Sequence, residues 1–220
     1  MSRTQVLVIT KAPAPGRSKT RLTPPCTPEQ AAGIAAAAVG DTLDTVRAAA
    51  VADRVVALDG SPGALDLTGF RVIPQVEGHL GTRLAAAFAG AMADGPVPTV
   101  LIGMDTPQMT PELLERCAEL LETSAPSTAV LGTAPDGGWW ALGLHTAEPA
   151  EVLASVPMSR DDTAVLTRKA LEATGLTVLD LPQLTDIDHF PDALAVAGAC
   201  PATSRTSRVV ASVAVTLGLA

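Results

Sequence analysis

Four cations, Lys11, Arg17, Lys19 and Arg21, fall within eleven residues of a chain whose formal net charge is −8. They lie in the segment K-A-P-A-P-G-R-S-K-T-R-L, Lys11 to Leu22, directly after the apolar run Val6-Leu7-Val8-Ile9. A Pro/Gly loop leaving a buried strand, with fixed cations along it, suits a phosphate: glycine admits close backbone approach, and amides and cations neutralise the anion. Lys11, Pro15, Gly16, Lys19, Thr20 and Arg21 are the candidate nucleotide-binding residues here. Lys19 and Arg21 are candidate catalytic residues that would hold charge developing on a leaving diphosphate. The bland alternative is a solvated basic loop. The segment is neither a P-loop nor a dinucleotide fingerprint, since G-x-x-x-x-G-K-[ST] and G-x-G-x-x-G are both missing.

A second group of residues is acidic. Asp105 follows the apolar run Val100-Leu101-Ile102 in G-M-D-T-P. A carboxylate at a strand end can ligate Mg²⁺, a hard cation that prefers oxygen and bridges to phosphates; otherwise it is a turn aspartate. Asp186 and Asp188 flank Ile187, so an extended backbone turns both carboxylates to one side and Ile187 to the other. One of them is expected to complete a metal site with Asp105, and the other to support the turn before a helix near Phe190. Asp136, Gly137, Gly138 and Trp139 form a turn that needs close backbone approach, to a ligand or to the following strand. Trp139 or Trp140 is expected to wall a pocket while the other enters the core. Gln75, Gly81 and Arg83 could read a base edge, accept a flat base and reach a phosphate, or could simply start a helix.

The elements that must position these residues alternate. Strands are expected at 5–10, 54–58, 71–74, 99–103, 128–133, 139–144 and 176–181. Helices are expected at 28–50, 81–93, 111–122, 161–174 and 190–199, with a last one from Ser207. Thr27 and Thr110 before prolines read as N-caps, and the stretch Ser159 to Asp162 as another. Short apolar strands between amphipathic helices predict an α/β fold, a largely parallel sheet covered on both faces. Ligands of such sheets bind beyond the carboxyl ends of the strands, and the polar segments above converge there.

Bulk properties agree. The 220 residues suit one domain, expected over 1–200, with 201–220 a helical extension suited to packing on that domain or on a second subunit in a homodimer. Hydrophobic residues make up 47% and charged residues 17%, which supports a large core. Aromatics are 2%, with no tyrosine, so the core must come from Ala, Val and Leu and no base-stacking platform exists. That and the acidic charge argue against a nucleic-acid binder. Three scattered cysteines signal neither a zinc knuckle nor a disulfide framework. No secretory signal or membrane span is read, so a cytoplasmic protein without a membrane partner is expected.

Five ordered motifs, Lys11–Leu22, Gln75–Arg83, Gly103–Pro107, Asp136–Trp140 and Asp186–Asp192, resemble the glycosyltransferase-A-like, nucleotide-diphospho-sugar transferase superfamily. Within it the chain resembles a bacterial subfamily labelled radical-SAM/selenodomain-associated transferase. Its cousins are the 2-phospholactate guanylyltransferases and the molybdenum-cofactor nucleotidyltransferases. The resemblance implies a three-layer, Rossmann-like α/β/α sandwich with a mixed sheet, and Mg²⁺ or Mn²⁺ on Asp105 helped by Asp188. It implies a nucleotide donor, NTP or NDP-sugar, and a small-molecule acceptor. The expected reaction is nucleotidyl transfer to a phosphorylated acceptor with release of pyrophosphate. Glycosyl transfer, with Asp136 as base, is the alternative, and a degenerate nucleotide binder a further one. The chain departs from the family pattern at Pro135, Trp139-Trp140, Met158 and His189. These positions belong to the acceptor side, whose acceptor-binding candidates are Asp136, Gly137, Gly138 and Trp139.

Overall fold

The computed structural model describes residues 2–219. Seven strands form one sheet: β1 (Gln5–Lys11), β2 (Asp53–Asp59), β3 (Arg71–Pro74), β4 (Thr99–Ile102), β5 (Thr128–Thr133), β6 (Trp139–Leu144) and β7 (Thr177–Leu181). Their order is β3-β2-β1-β4-β6-β5-β7. β6 runs antiparallel to β4 and β5, and the other pairings are parallel. Among the described residues six helices accompany them: α1 (Pro28–Ala48), α2 (Leu80–Ala91), α3 (Pro111–Thr123), α4 (Thr163–Ala173), α5 (Phe190–Ala199) and α6 (Arg205–Thr216). Two 3-10 segments, Thr20–Leu22 and Glu148–Ser155, were not expected from the sequence. Neither shows a long apolar period, and a 3-10 turn has none to show.

The period-two alternation of the strands sorts their side chains into two cores. Val6, Val8, Val100 and Ile102 face α1 and α3, where Val39, Leu43, Leu114 and Leu121 meet them. Leu7, Leu101, Leu131 and Leu142 face the other way, onto Leu84 and Phe88 of α2 and Leu153 of the second 3-10 segment. All twelve of these strand and α1/α3 side chains and their α2 partners are buried. The result is the expected three-layer sandwich. A third cluster joins Leu22 and Cys26 to Ile34 and Ala38 of α1, Phe190 of α5, and Val210 and Val213 of α6. It anchors both the cation-bearing loop and the segment before α5. Helix α6 is also tied to α1 by Arg205, which pairs with Asp41 and Asp44, and by the Thr206 amide on Asp41.

Helix starts mostly follow their cap residues. Thr27 and Gln30 form a reciprocal capping box, and Thr110 accepts the Leu113 amide. The expected cap at Ser159–Asp162 is corrected. Helix α4 begins at Thr163, and no side chain caps it. Instead Thr163 Oγ1 accepts from the Arg160 amide and donates to the Pro157 carbonyl, holding residues 157–162 as a loop. All three cysteines are free and buried. Among the described residues no helix is long and apolar enough to cross a membrane.

Candidate active site

The order of strand succession reverses between the parallel neighbours β1 and β4: β2 and β3 lie on one side of β1, and β4 on the other. Such a switch point opens a crevice at the carboxyl ends of the strands. A cavity of about 840 Å³ lies there, lined among others by Lys11, Lys19, Arg83, Asp105, Trp139 and Asp186.

The loop after β1 is built from within. The Ala12 amide donates to the Asp59 carbonyl, and Arg17 and Ser18 amides close onto the Ala14 carbonyl. The buried Ser18 hydroxyl accepts the Ala14 amide. Lys19 then adopts a left-handed backbone, φ 49°, before the Thr20–Leu22 turn. Such strain in a non-glycine residue persists only where surrounding contacts hold it. Here buried Leu22 anchors the far side of the turn, and the Lys19 side chain, 9% exposed, reaches into the acidic group.

Asp105, Asp186 and Asp188 each offer a carboxylate oxygen within 4.8 Å of the others. Three local features bring them together. A Cβ on Gly103 would stand 2.9 Å from the Asp105 carboxylate, so glycine leaves that side chain its room. The Ile187 amide donates to the Asp105 carbonyl at 3.0 Å, and Gln108 donates to the Thr185 carbonyl at 2.6 Å. Ile187 itself is fully buried, which turns its two neighbours to the cavity, as an extended D-I-D predicts. The expectation that one aspartate would support the helix is corrected: both belong to the group with Asp105. The start of α5 is served by Asp192, which accepts the His189 amide at 2.7 Å.

Lys19 Nζ lies 2.7 Å from Asp105 Oδ2 and 3.7 Å from Asp188 Oδ1, and donates also to the Ile187 carbonyl. Arg21 pairs with Asp188. Burial alone would lower the Lys19 pKa, but the charges of Asp105 and Asp188 and the Asp105 hydrogen bond raise it. Asp186 shows the reverse: burial, then the charges of Asp105, Asp136 and Asp188, push it up to about 7. With all three carboxylates ionised the group would carry one more negative charge than Lys19 and Arg21 offset. Oxygen donors with surplus charge fit a hard divalent cation.

On the other wall, Arg83 donates to Asp59 at 3.1 Å and to Gln75 Oε1. The Gln75 amide nitrogen is engaged by the Thr10 and Ala57 carbonyls, at 2.6 and 2.8 Å. Gln75 thus holds Arg83 against the ends of β1 and β2. The Lys11 pKa is lowered, by burial and then by the charges of Lys19 and Arg83. Cations crowded enough to repel one another favour an anion between them.

Gly81, Gly137, Pro15 and Gly16 do not line the cavity, whereas Thr20, Asp136, Gly138 and Trp139 do. A Cβ on Gly81 would meet the Leu153 carbonyl at 2.0 Å, so that glycine lets α2 pack on the 3-10 segment. Gly137, at φ 89°, would meet the Asp161 carbonyl at 1.8 Å; the backbone it approaches is that loop. Asp136 accepts the Gly138 amide at 2.8 Å. Trp139 walls the cavity, its indole donating to Thr167, and Trp140 is buried in the core. The sequence reading missed Ser159, Arg160 and Asp161 as lining residues. The density of polar residues there was the available signal, but a cap uses the same residue types.

With this geometry in place, comparison with known proteins gives a consistent result. Residues 42–160 match the model of the family described as "Uncharacterized protein conserved in bacteria" (DUF2064). No curated protein matches the chain. Among solved structures, a "putative nucleotide-diphospho-sugar transferase" from Desulfovibrio desulfuricans G20 superposes with a TM-score of 0.83 at 24% identity, over 99% of this chain and 97% of that one. Rv0371c from Mycobacterium tuberculosis H37Rv, in complex with manganese, gives 0.55 at 22% identity, over 89% and 98%. CMP:2-keto-3-deoxy-manno-octonic acid synthetase complexed with CTP gives 0.52 at 14% identity, over 98% and 100%. At these identities the likeness establishes the fold, which nucleotidyl- and sugar-transferases share. The chain belongs to the DUF2064 family and has a glycosyltransferase-A-like fold.

Proposed function

We propose that this protein is a divalent-metal-dependent transferase that moves a nucleotidyl group from an NTP to a small phosphorylated acceptor. One observation carries the reading. A cation-crowded wall (Lys11, Arg83) and an acidic group of three aspartates face the same cavity at the switch point of the sheet. The first suits a polyphosphate, and the second the cation that accompanies it.

Asp105, Asp186 and Asp188 would hold Mg²⁺ or Mn²⁺, which when bound supplies charge neutralisation at phosphate oxygens. Lys11 and Arg83 orient the triphosphate. An acceptor phosphate oxygen bonds to the α-phosphorus, the bond to the β-phosphate oxygen breaks, and pyrophosphate leaves with the electron pair. Lys19 and Arg21 exchange their aspartate partners for that developing charge. A phosphate nucleophile is already ionised, so positioning and charge stabilisation suffice without a strong base. Asp136, Gly138 and Trp139 form the acceptor side.

The likeness to the Desulfovibrio protein supports a second reading, glycosyl transfer from an NDP-sugar with Asp136 as base. Product analysis separates the two. With Mg²⁺, each NTP and a set of phosphorylated acceptors, pyrophosphate release is expected for one NTP, falling by at least ~10²-fold in Asp188→Ala. Release of NDP from an NDP-sugar, with every NTP inert, would transfer the case to glycosyl transfer.

A further inference from the structure

The charged groups of the cavity are unevenly distributed. Lys11 and Arg83 stand on the wall at β1 and β2, and Lys19 and Arg21 are engaged by aspartates. Among the described residues, the one remaining Lys or Arg of the lining is Arg160, and Trp139, Met158 and Pro135 line the cavity with it.

Arg160 is presented by a fixed loop. Its own amide donates to Thr163 Oγ1 at 3.0 Å, and the same hydroxyl donates to the Pro157 carbonyl at 3.1 Å. The Ala164 amide donates to the Gly137 carbonyl at 2.8 Å, clamping the loop to the Asp136–Gly138 turn. Ser159, just before it, is held at φ 60°, one of two non-glycine residues with positive φ among the described residues. The other is Lys19, which lines the same cavity. Backbone strain of this kind gathers at ligand clamps.

The guanidinium has a partner that can be replaced. Its Nε and Nη2 donate to the two carboxylate oxygens of Asp162, at 2.9 and 3.2 Å. Both side chains are substantially exposed, 57% and 40%. Exposed ion pairs contribute little, so a ligand anion can take over the fork at small cost. Asp162 thereby marks the two-oxygen geometry that an incoming anion would fill.

We propose that Arg160 is a specificity-determining residue that reads an anionic group, phosphate or carboxylate, at the end of the acceptor remote from the reacting phosphate, with a flat or apolar body lying against Trp139 and Met158. This rests on the transferase reading above and names the acceptor's class.

The test uses ligand-observed NMR with three probes: phenyl phosphate, benzoate and benzyl alcohol. The protein is first filled with Mg²⁺ and a non-hydrolysable NTP, so that the donor-wall cations are occupied. At least one anionic probe is expected to bind, and benzyl alcohol to bind at least about tenfold more weakly. Arg160→Gln should weaken the anion by about tenfold with NTP binding unchanged, and Arg160→Lys should recover part of the loss. Asp162→Asn, which removes the internal competitor, should tighten it. Whichever anion binds better identifies the group. Equal binding of the alcohol, indifference to Arg160→Gln, or silence from both anions overturns the proposal. If no NTP binds, the proposed function fails instead, and the same titration on the nucleotide-free protein still decides the role of Arg160.

Discussion

Lys19 and Asp186 show how the acidic group manages its charge. Lys19 places an ammonium where three carboxylates converge. In Lys19→Met those carboxylates would face one another without it. The partners retain 27% and 22% exposure, so the expected loss is about 2 kcal/mol, below the roughly 3–5 kcal/mol of a fully buried pair. Chemical denaturation with and without Mg²⁺ checks this: the loss should appear in EDTA and shrink when Mg²⁺ is added. Asp186 makes a pH prediction. Burial and the neighbouring carboxylates raise its folded pKa to about 7, above the ordinary 3.8. Between those values the folded state binds a proton that the unfolded state does not, so this group's contribution to stability declines as pH rises toward 7. In the metal-free protein, Asp186→Asn should be more stable than wild type at pH 8 and nearly equal to it at pH 4. Urea midpoints at both pH values would show it, and a variant less stable at pH 8 would contradict it.

Among the elements, glycines determine how closely the loops approach. Gly137 has φ 89° and would bring a Cβ to 1.8 Å from the Asp161 carbonyl. Gly137→Ala should therefore displace the loop of residues 157–162 and cost about 2 kcal/mol or more. Thermal unfolding would measure the cost, and Trp139 fluorescence would report the moved wall. An unchanged Tm would show that the contact is not needed. The elements also show what the sequence could reveal. Strands β3, β5 and β6 and helix α5 have the bounds expected from pattern alone, because alternating apolar residues and flanking turn residues agree there. The Asp-Ile-Asp alternation likewise exposed the pairing of Asp186 with Asp188. Hydrogen bonds across the fold were illegible. Nothing local to Gln75 says that its amide is taken up by Thr10 and Ala57, and nothing local to Gly81 says that Leu153 stands above it. Ser159 to Asp162 read as a cap because caps and cavity loops draw on the same polar residues.

For the whole molecule, topology does the positioning. Segments far apart in sequence, Lys11–Arg21, Gln75–Arg83, Gly103–Asp105, Asp136–Trp139 and Asp186–Asp188, reach one cavity because they leave or adjoin neighbouring strands at one edge. A net charge of −8 surrounds a locally cationic wall, so the chain as a whole does not attract polyanions and the binding of a nucleotide must be local. The central claim is that this wall and the acidic group act together as one metal-and-nucleotide site. The most direct measurement is a thermal-shift titration with each of the four NTPs, with Mg²⁺ and with EDTA, in wild type and in Asp105→Ala. The account predicts stabilisation by one NTP that requires Mg²⁺ and is lost in Asp105→Ala. Stabilisation that persists in EDTA and in the variant, or none from any NTP, would contradict it.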